Sequence, residues 1–552
     1  MSKGASTPRT SHSLIAPAFP EKKADHRTWG QLHGSSDALA ICESARAHHG
    51  LTLVITRSTS DAIRLEQAMR FFLGLPADED GAAITDDGLE LLSLPDWETL
   101  PYDLFSPHQD ITSRRIRTLH RLPSTSHGVL VVPARTLMHR LPPVDYLQGN
   151  TLLLEVGQSL DIDTWRMQLD SAGYRHAENV YEHGEYAVRG AILDIFPMGS
   201  NLPYRIDLFD DEIETLRTFD PETQRSIDRI ESIELLPAFE FPWHKEARSG
   251  FRGRWFEQFP DADKDAPIYK DVTHAITPPG IEYYLPLFFD HTATLFDYLP
   301  GQTKVFTAEG LNEAVSLFDS ETRNRYEDRR HDRLRPILPP TRLFLQTDEL
   351  FGHLKDFPRV TTQADEATGS GAVNCPAESL PDIAMDGRAA DPAGRLKRFL
   401  NEFTGRVLIC AESSGRREAL IENLGEQSLK LKTQDGWQAF LDDDKCTLGI
   451  TIAPMEQGLA LPEQQIALIT ETALFGERVL QRRRRQKPTE TDDAGYRDLS
   501  ELRIGAPVVH IDHGVGRYKG LETIDAGGES NEFLMLEYAG GSKLYVPVSS
   551  YI

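Results

Sequence analysis

Hydrophobic and polar positions change their period several times along the chain, and each change marks a different kind of element. Leu51-Thr52-Leu53-Val54-Ile55 is an almost unbroken apolar run, the pattern of a strand covered on both faces. Behind it Ile63, Leu65, Met69 and Phe72 recur at helical spacing, with Ser60 and Asp61 placed to cap the helix. Gly128-Val129-Leu130-Val131-Val132 repeats the strand signal and predicts a helix after Pro133. Such strand–helix units predict a parallel sheet with helices on its faces, over 28–145 and again over 236–345.

Between 146 and 235 the period shortens toward 2, which predicts an inserted strand-rich module. One strand is expected over Ala187–Ile195, with Arg189, Ala191, Leu193 and Ile195 on one face. After the turn formers Pro197–Pro203, Tyr204, Ile206 and Leu208 point one way, and Arg205, Asp207 and Phe209 the other. An arginine, a carboxylate and a large ring on one outward face suit a protein-binding hot spot and no catalysis. The competing reading pairs Arg205 with Asp207, Asp210 or Asp211 and sends Phe209 into the core.

Residues 1–27 read as a flexible leader and 346–390 as a linker, the latter rich in Ala, Thr, Gly, Ser, Asp and Pro from 362 onward. A small α/β domain follows over 391–476, with strands at Gly405–Cys410 and Ile466–Ile469 and a helix opened by Ser413 or Ser414. Residues 477–500 form a second, charged linker containing Arg482–Arg485. From 501 to 552 the pattern is all-β, punctuated by Gly527-Gly528 and Gly540-Gly541, as in a small SH3-like or Tudor-like barrel. The fold class is thus multidomain α/β and α+β.

Composition narrows the partners. The 552 residues suggest three or four domains at ~150 residues each. A net charge of −26 argues against gripping DNA through the bulk surface and favours protein partners. Cys42, Cys375, Cys410 and Cys446 form no CxxC pair, so each is expected to be a small buried apolar residue. His510 and His513 flank Asp512 without a third ligand at suitable spacing, so no metal is expected. Arg114, Arg115, Arg117 and Arg121 are expected on the wet face of a helix whose apolar positions are Ile116, Leu119 and Leu122. With no signal peptide and no 18-residue apolar run, a cytoplasmic chain is expected.

Gly190-Ala191-Ile192-Leu193-Asp194-Ile195-Phe196-Pro197 and Phe209-Asp210-Asp211-Glu212-Ile213-Glu214 resemble the UvrA-binding module shared by UvrB and the transcription-repair coupling factors. Asp96–Asp103 and Ser106–Asp110 resemble the coupling factors rather than UvrB, which carries a longer aromatic hairpin at that point. His510–Tyr518 and Lys543–Val548 resemble the RNA polymerase interaction domain of the same family. The resemblance covers roughly 28–345 and 390–552. It implies that Arg189, Arg205 and Phe209 contact UvrA, and that Ile524 contacts the β subunit of RNA polymerase, against the commoner fate of Ile as barrel core. In the terminal domain four basic residues (Arg503, Arg517, Lys519, Lys543) face seven acidic ones, which again points to a protein partner.

UvrB carries a phosphate-binding loop near its start, and the comparable segment here is Gly30–Ala38. A working loop needs G-x-x-x-x-G-K-[ST]. After Gly34, Asp37 stands in the place of Lys and Ala38 in the place of Ser or Thr, so the lobe reads as a degenerate, helicase-like scaffold without ATPase function. The rival readings are a UvrB-like damage-recognition ATPase, opposed by this loop, and a stand-alone polymerase-binding regulator, opposed by the UvrB-like half. The resemblance further implies that the chain ends short of the family's ATP- and Mg-dependent double-stranded DNA translocase, and of a C-terminal domain that masks the UvrA-binding face.

Overall fold

The structure is a computed structural model and describes residues 14–76, 83–263, 265–476, 504–505, 507–510, 514–526, 529–538 and 543–547. The second linker, including Arg482–Arg485, and Asp512 and His513 lie outside these residues.

The first lobe is built on an eight-stranded sheet. Its order is Ala372–Asn374, His26–Gly30, Arg359–Thr362, Thr303–Ala308, Leu51–Thr56, Gly128–Pro133, Glu90–Ser93, Ala83–Ile84. All neighbours are parallel except the last pair. Every residue of Leu51–Thr56 and Gly128–Pro133 is buried, as a strand covered on both faces requires. The helix Thr59–Leu73 is capped by Ser58, whose side chain accepts from the Asp61 N–H, so the expected capping residues Ser60 and Asp61 lie inside its first turn. Gly74, at φ +73°, ends it.

Three expectations change. The segment 346–390 is not simply a linker: it contributes the helix Thr347–Leu354 and two strands of the main sheet. Arg359-Val360-Thr361-Thr362 is polar to the eye, yet only Val360 must be apolar, because it alone is fully buried. The leader is docked from Leu14 onward. The backbone N–H groups of Leu14, Ile15 and Ala16 donate to the Glu43 carboxylate, and the Phe19 ring meets those of Trp29 and Phe306. On the helix Gln109–Arg121, Arg115 is fully buried instead of facing water.

The inserted module leaves and re-enters the lobe through one ladder, Leu152–Glu155 antiparallel to Ser232–Leu235. Pairing the entry and exit strands isolates what lies between them, chiefly a six-stranded sheet: Ser226–Ile230, Glu212–Phe219, Tyr204–Phe209, Ile192–Ile195, Glu185–Arg189, Arg175–His176. Just past the exit, Glu240 anchors the module to the lobe. Its carboxylate receives Arg115 Nε at 2.5 Å and Nη2 at 3.2 Å. Arg115 also donates to the Pro95 carbonyl at 2.8 Å and stacks over Trp97.

A separate five-stranded sheet runs Lys432–Thr433, Leu448–Ile452, Arg406–Ala411, Ile466–Thr470, Leu459–Leu461. Ser413 caps the helix Ser414–Glu426 by accepting from the Arg416 N–H, one of the two capping choices expected. The terminal segment is a four-stranded antiparallel sheet, Pro507–His510, Gly514–Ala526, Glu529–Glu537, Lys543–Pro547. All four cysteines are free and buried, and burial pushes the Cys375 thiol up to about 11. Among the described residues no helix is long and apolar enough to cross a membrane.

Arg115→Ala leaves the Glu240 carboxylate buried without its cation. The expected cost is about 3–5 kcal/mol, read as a lower urea midpoint; an unchanged midpoint would remove this anchor. Glu282 supplies a pH test. Burial pushes its carboxyl up to about 7, while Ser106 Oγ donates to it at 2.8 Å. The folded chain therefore holds a proton that the unfolded chain releases nearer 4.5, and this contribution is lost as pH rises through about 7. Relative to Glu282→Gln, the native chain should lose melting temperature between about pH 5 and about pH 8. Parallel curves for the two chains would contradict the shift.

Candidate protein-interaction face and the degenerate phosphate loop

The outward face of the six-stranded sheet is organised by a residue that the sequence did not single out. Asp194 is fully buried. In the register Ala187↔Asp194↔Arg205, directly opposed side chains share a face. Arg205 reaches Asp194 with Nε at 2.7 Å and Nη2 at 2.9 Å, a bidentate pair. Its Nη1 donates to the Gln224 carbonyl at 3.2 Å, and its guanidinium lies 4.7 Å from the centre of the Phe219 ring. Arg189 also donates to Asp194, and to Asn179 Oδ1 at 3.1 Å.

The expected single strand over Ala187–Ile195 is a hairpin. Glu185–Arg189 and Ile192–Ile195 pair antiparallel with Arg189 opposite Ile192, so Gly190 and Ala191 form the two-residue loop. Gly190 takes φ +64°, a left-handed backbone that glycine adopts without strain. Arg189 therefore shares a face with Ile192 and Asp194, and not, as expected, with Leu193 and Ile195. The fold brings Arg189 and Arg205 together only because this hairpin places Asp194 between them.

Arg205 pairs within the sheet, as the bland reading supposed, but with Asp194; it is Arg217 that takes Asp207, at 2.8 Å. Arg205 keeps 16% of its side-chain surface exposed and Arg189 44%. Phe209 is no core residue: it is 70% exposed at the end of its strand, next to Asp210 at φ +54°. The face thus offers one half-exposed guanidinium held by a buried carboxylate, and one bare ring. The signal for Asp194 in the sequence is an acidic residue inside an otherwise apolar strand, Ile192-Leu193-Asp194-Ile195, where an unpaired charge is not tolerated.

The candidate phosphate loop has the right context: a strand, a loop and the helix Ser36–Arg46. Its chemistry does not fit a triphosphate. The Asp37 carboxylate accepts from Arg64 Nη2 at 3.1 Å, and the attraction of Asp37 holds the Arg64 guanidinium above its usual pKa. No ammonium or hydroxyl stands at Asp37 and Ala38, and Ala38 is fully buried.

In the terminal sheet, the backbone of Ile524 pairs with Asn531, while its side chain lies outside the described residues. The strand Gly514–Ala526 pairs with Pro507–His510 from Gly514 to Arg517, and the Tyr518 carbonyl accepts the Gly505 N–H, so Gly520–Ala526 has a ladder on one side alone among the described residues. Tyr518, Leu534 and Leu536 are buried in one cluster with Leu100.

These units match known families in order. Residues 152–241 match the UvrB interaction domain, 399–474 the D3 domain of MFD, and 502–551 the CarD-like/TRCF RID domain. The transcription-repair-coupling factor of Haemophilus influenzae is 43% identical over 541 residues, covering 98% of this chain and 46% of that protein. The Escherichia coli factor is 44% identical over 534 residues, covering 96% of this chain and 45% of that protein. The Bacillus subtilis factor is 27% identical over 495 residues. The chain spans about half the length of the curated relatives it matches. With the inserted face, the D3 match and the terminal sheet following one another as they do, the chain belongs to the transcription-repair-coupling factor family.

Proposed function

We propose that this chain is the adaptor part of a transcription–repair coupler, binding RNA polymerase with its terminal sheet and recruiting UvrA with its inserted module. The observation that carries the reading is Phe209, 70% exposed at the end of a strand in the same sheet where buried Asp194 pins Arg189. A bare ring and a held guanidinium on one sheet are the composition of an interface anchor. Arg205 serves this face chiefly by fixing Asp194, and touches UvrA with what remains exposed.

The terminal sheet, read as an SH3/Tudor-like barrel, offers the edge of Gly520–Ala526, unpaired on one side among the described residues and carrying Ile524, to the polymerase β subunit by strand addition. The helicase-like lobe is a scaffold and no ATPase, its loop lacking the Lys and hydroxyl that phosphate and metal need. ATP, Mg and double-stranded DNA belong to a translocase elsewhere in the whole family protein. There a C-terminal domain also masks the UvrA face.

Phe209→Ala is expected to lower UvrA retention in a pull-down at least about tenfold with an unchanged melting temperature. Arg205→Glu is expected to abolish retention and also to lower the melting temperature, because Asp194 then faces a like charge in a buried place. Undiminished retention by Phe209→Ala would remove the proposed face. Ile524→Arg is expected to weaken polymerase binding while the sheet stays folded; a collapse of its melting transition would return Ile524 to the core.

A further inference from the structure

At its helix end the degenerate loop is covered by backbone from another unit of the chain. Gly34 sits at φ +60°, and a Cβ there would lie 1.8 Å from the carbonyl oxygen of Gly458, in the D3-type unit. The Ser35 backbone N–H, at the N-terminus of the helix Ser36–Arg46, donates to that oxygen at 3.2 Å. In a working phosphate loop, N–H groups at this helix end face an anion. Here the amide goes to a peptide carbonyl, whose partial negative charge suits the same positive helix pole.

The contact lies inside a continuous apolar seam. Leu32, Ala38 and Ile41 of the lobe share one buried cluster with Met455, Leu459 and Leu468 of the D3-type unit. The Trp437 ring lies 5.4 Å from that of Phe72. The leader stitches the seam: its Leu14 amide donates to Glu43, and its carbonyl accepts from Gln464 Nε2 at 2.9 Å. A cavity of about 250 Å³ remains beside the plugged loop, with Gln457 on its wall. Its two arginines are committed to carboxylates, Arg57 to Asp61 at 3.0 Å and Arg64 to Asp37 at 3.1 Å.

We propose that the D3-type unit is a plug: its loop Glu456–Leu459 occupies the phosphate end of the degenerate site, closes it to nucleotide and holds lobe and unit as one body. The loop that elsewhere grips a phosphate is here a socket for backbone of the same chain. Glycine at 34 is required twice over, for its left-handed backbone and for the carbonyl that fills the space of a side chain.

Two glycine substitutions in the whole chain separate these requirements. Gly74 has φ +73° with nothing within 4 Å of its missing Cβ, so Gly74→Ala adds backbone strain alone. Gly34→Ala adds strain and an atom in the seam. By hydrogen-exchange mass spectrometry, Gly34→Ala is expected to accelerate exchange in the peptides holding Ser35 and Gly458 together, by on the order of tenfold or more. Gly74→Ala should leave both unchanged, and excess Mg-ATP should protect neither in the native chain. Gln464→Ala, which removes only the leader stitch, should accelerate the same two peptides by a smaller factor, so the test survives a Gly34→Ala chain that fails to fold. Acceleration confined to the Ser35 peptide, no change at either peptide in Gln464→Ala, or protection of the Ser35 peptide by Mg-ATP would each overturn the plug.

Discussion

A carboxylate removed from water needs cations brought to it, and the outward face of the inserted module is arranged around that need at Asp194. Arg205 arrives from the neighbouring strand with two nitrogens, and Arg189 from across the hairpin. Satisfying Asp194 fixes the register of three strands, because a slip by one residue would turn the carboxylate to the other face. It also occupies most of Arg205, leaving Arg189 and Phe209 as the more exposed groups. Charge and shape at this surface therefore follow from one buried group.

The same economy operates where the module joins the lobe. Arg115 and Glu240, both buried, close the junction that the Leu152–Glu155 and Ser232–Leu235 ladder begins. Polar groups buried with full partners tie elements into one geometry more tightly than apolar contact alone, which is non-directional. At the start of the helix Ser36–Arg46 the Ser35 amide is satisfied by the Gly458 carbonyl. In each case a group that must be satisfied is satisfied from within the chain.

Local chemistry was legible in the sequence; distant partners were not. The strands at Leu51 and Gly128 and the Ser413 cap follow from runs and spacings a few residues long. The hairpin is hidden because a loop of only two residues, Gly190-Ala191, leaves too short a break in the run to mark a turn, although it shifts the alternation by one residue. Arg115 looked solvent-facing because its partner lies 125 residues away. The strand Arg359–Thr362 looked like linker because one buried valine suffices between two neighbouring strands. For the candidate face, Arg189, Arg205 and Phe209 were identified through resemblance, while Asp194, which holds two of them, emerged only from the register.

The inserted sheet, and not the phosphate loop, is the proposed place where this chain meets the repair machinery. The most direct test is the hydrogen-exchange footprint left on the whole chain by UvrA. Protection is predicted over Arg189–Phe209, with the peptide from Ser35 to Ala38 unaffected. A footprint on Ser35–Ala38 with none on Arg189–Phe209 would contradict it.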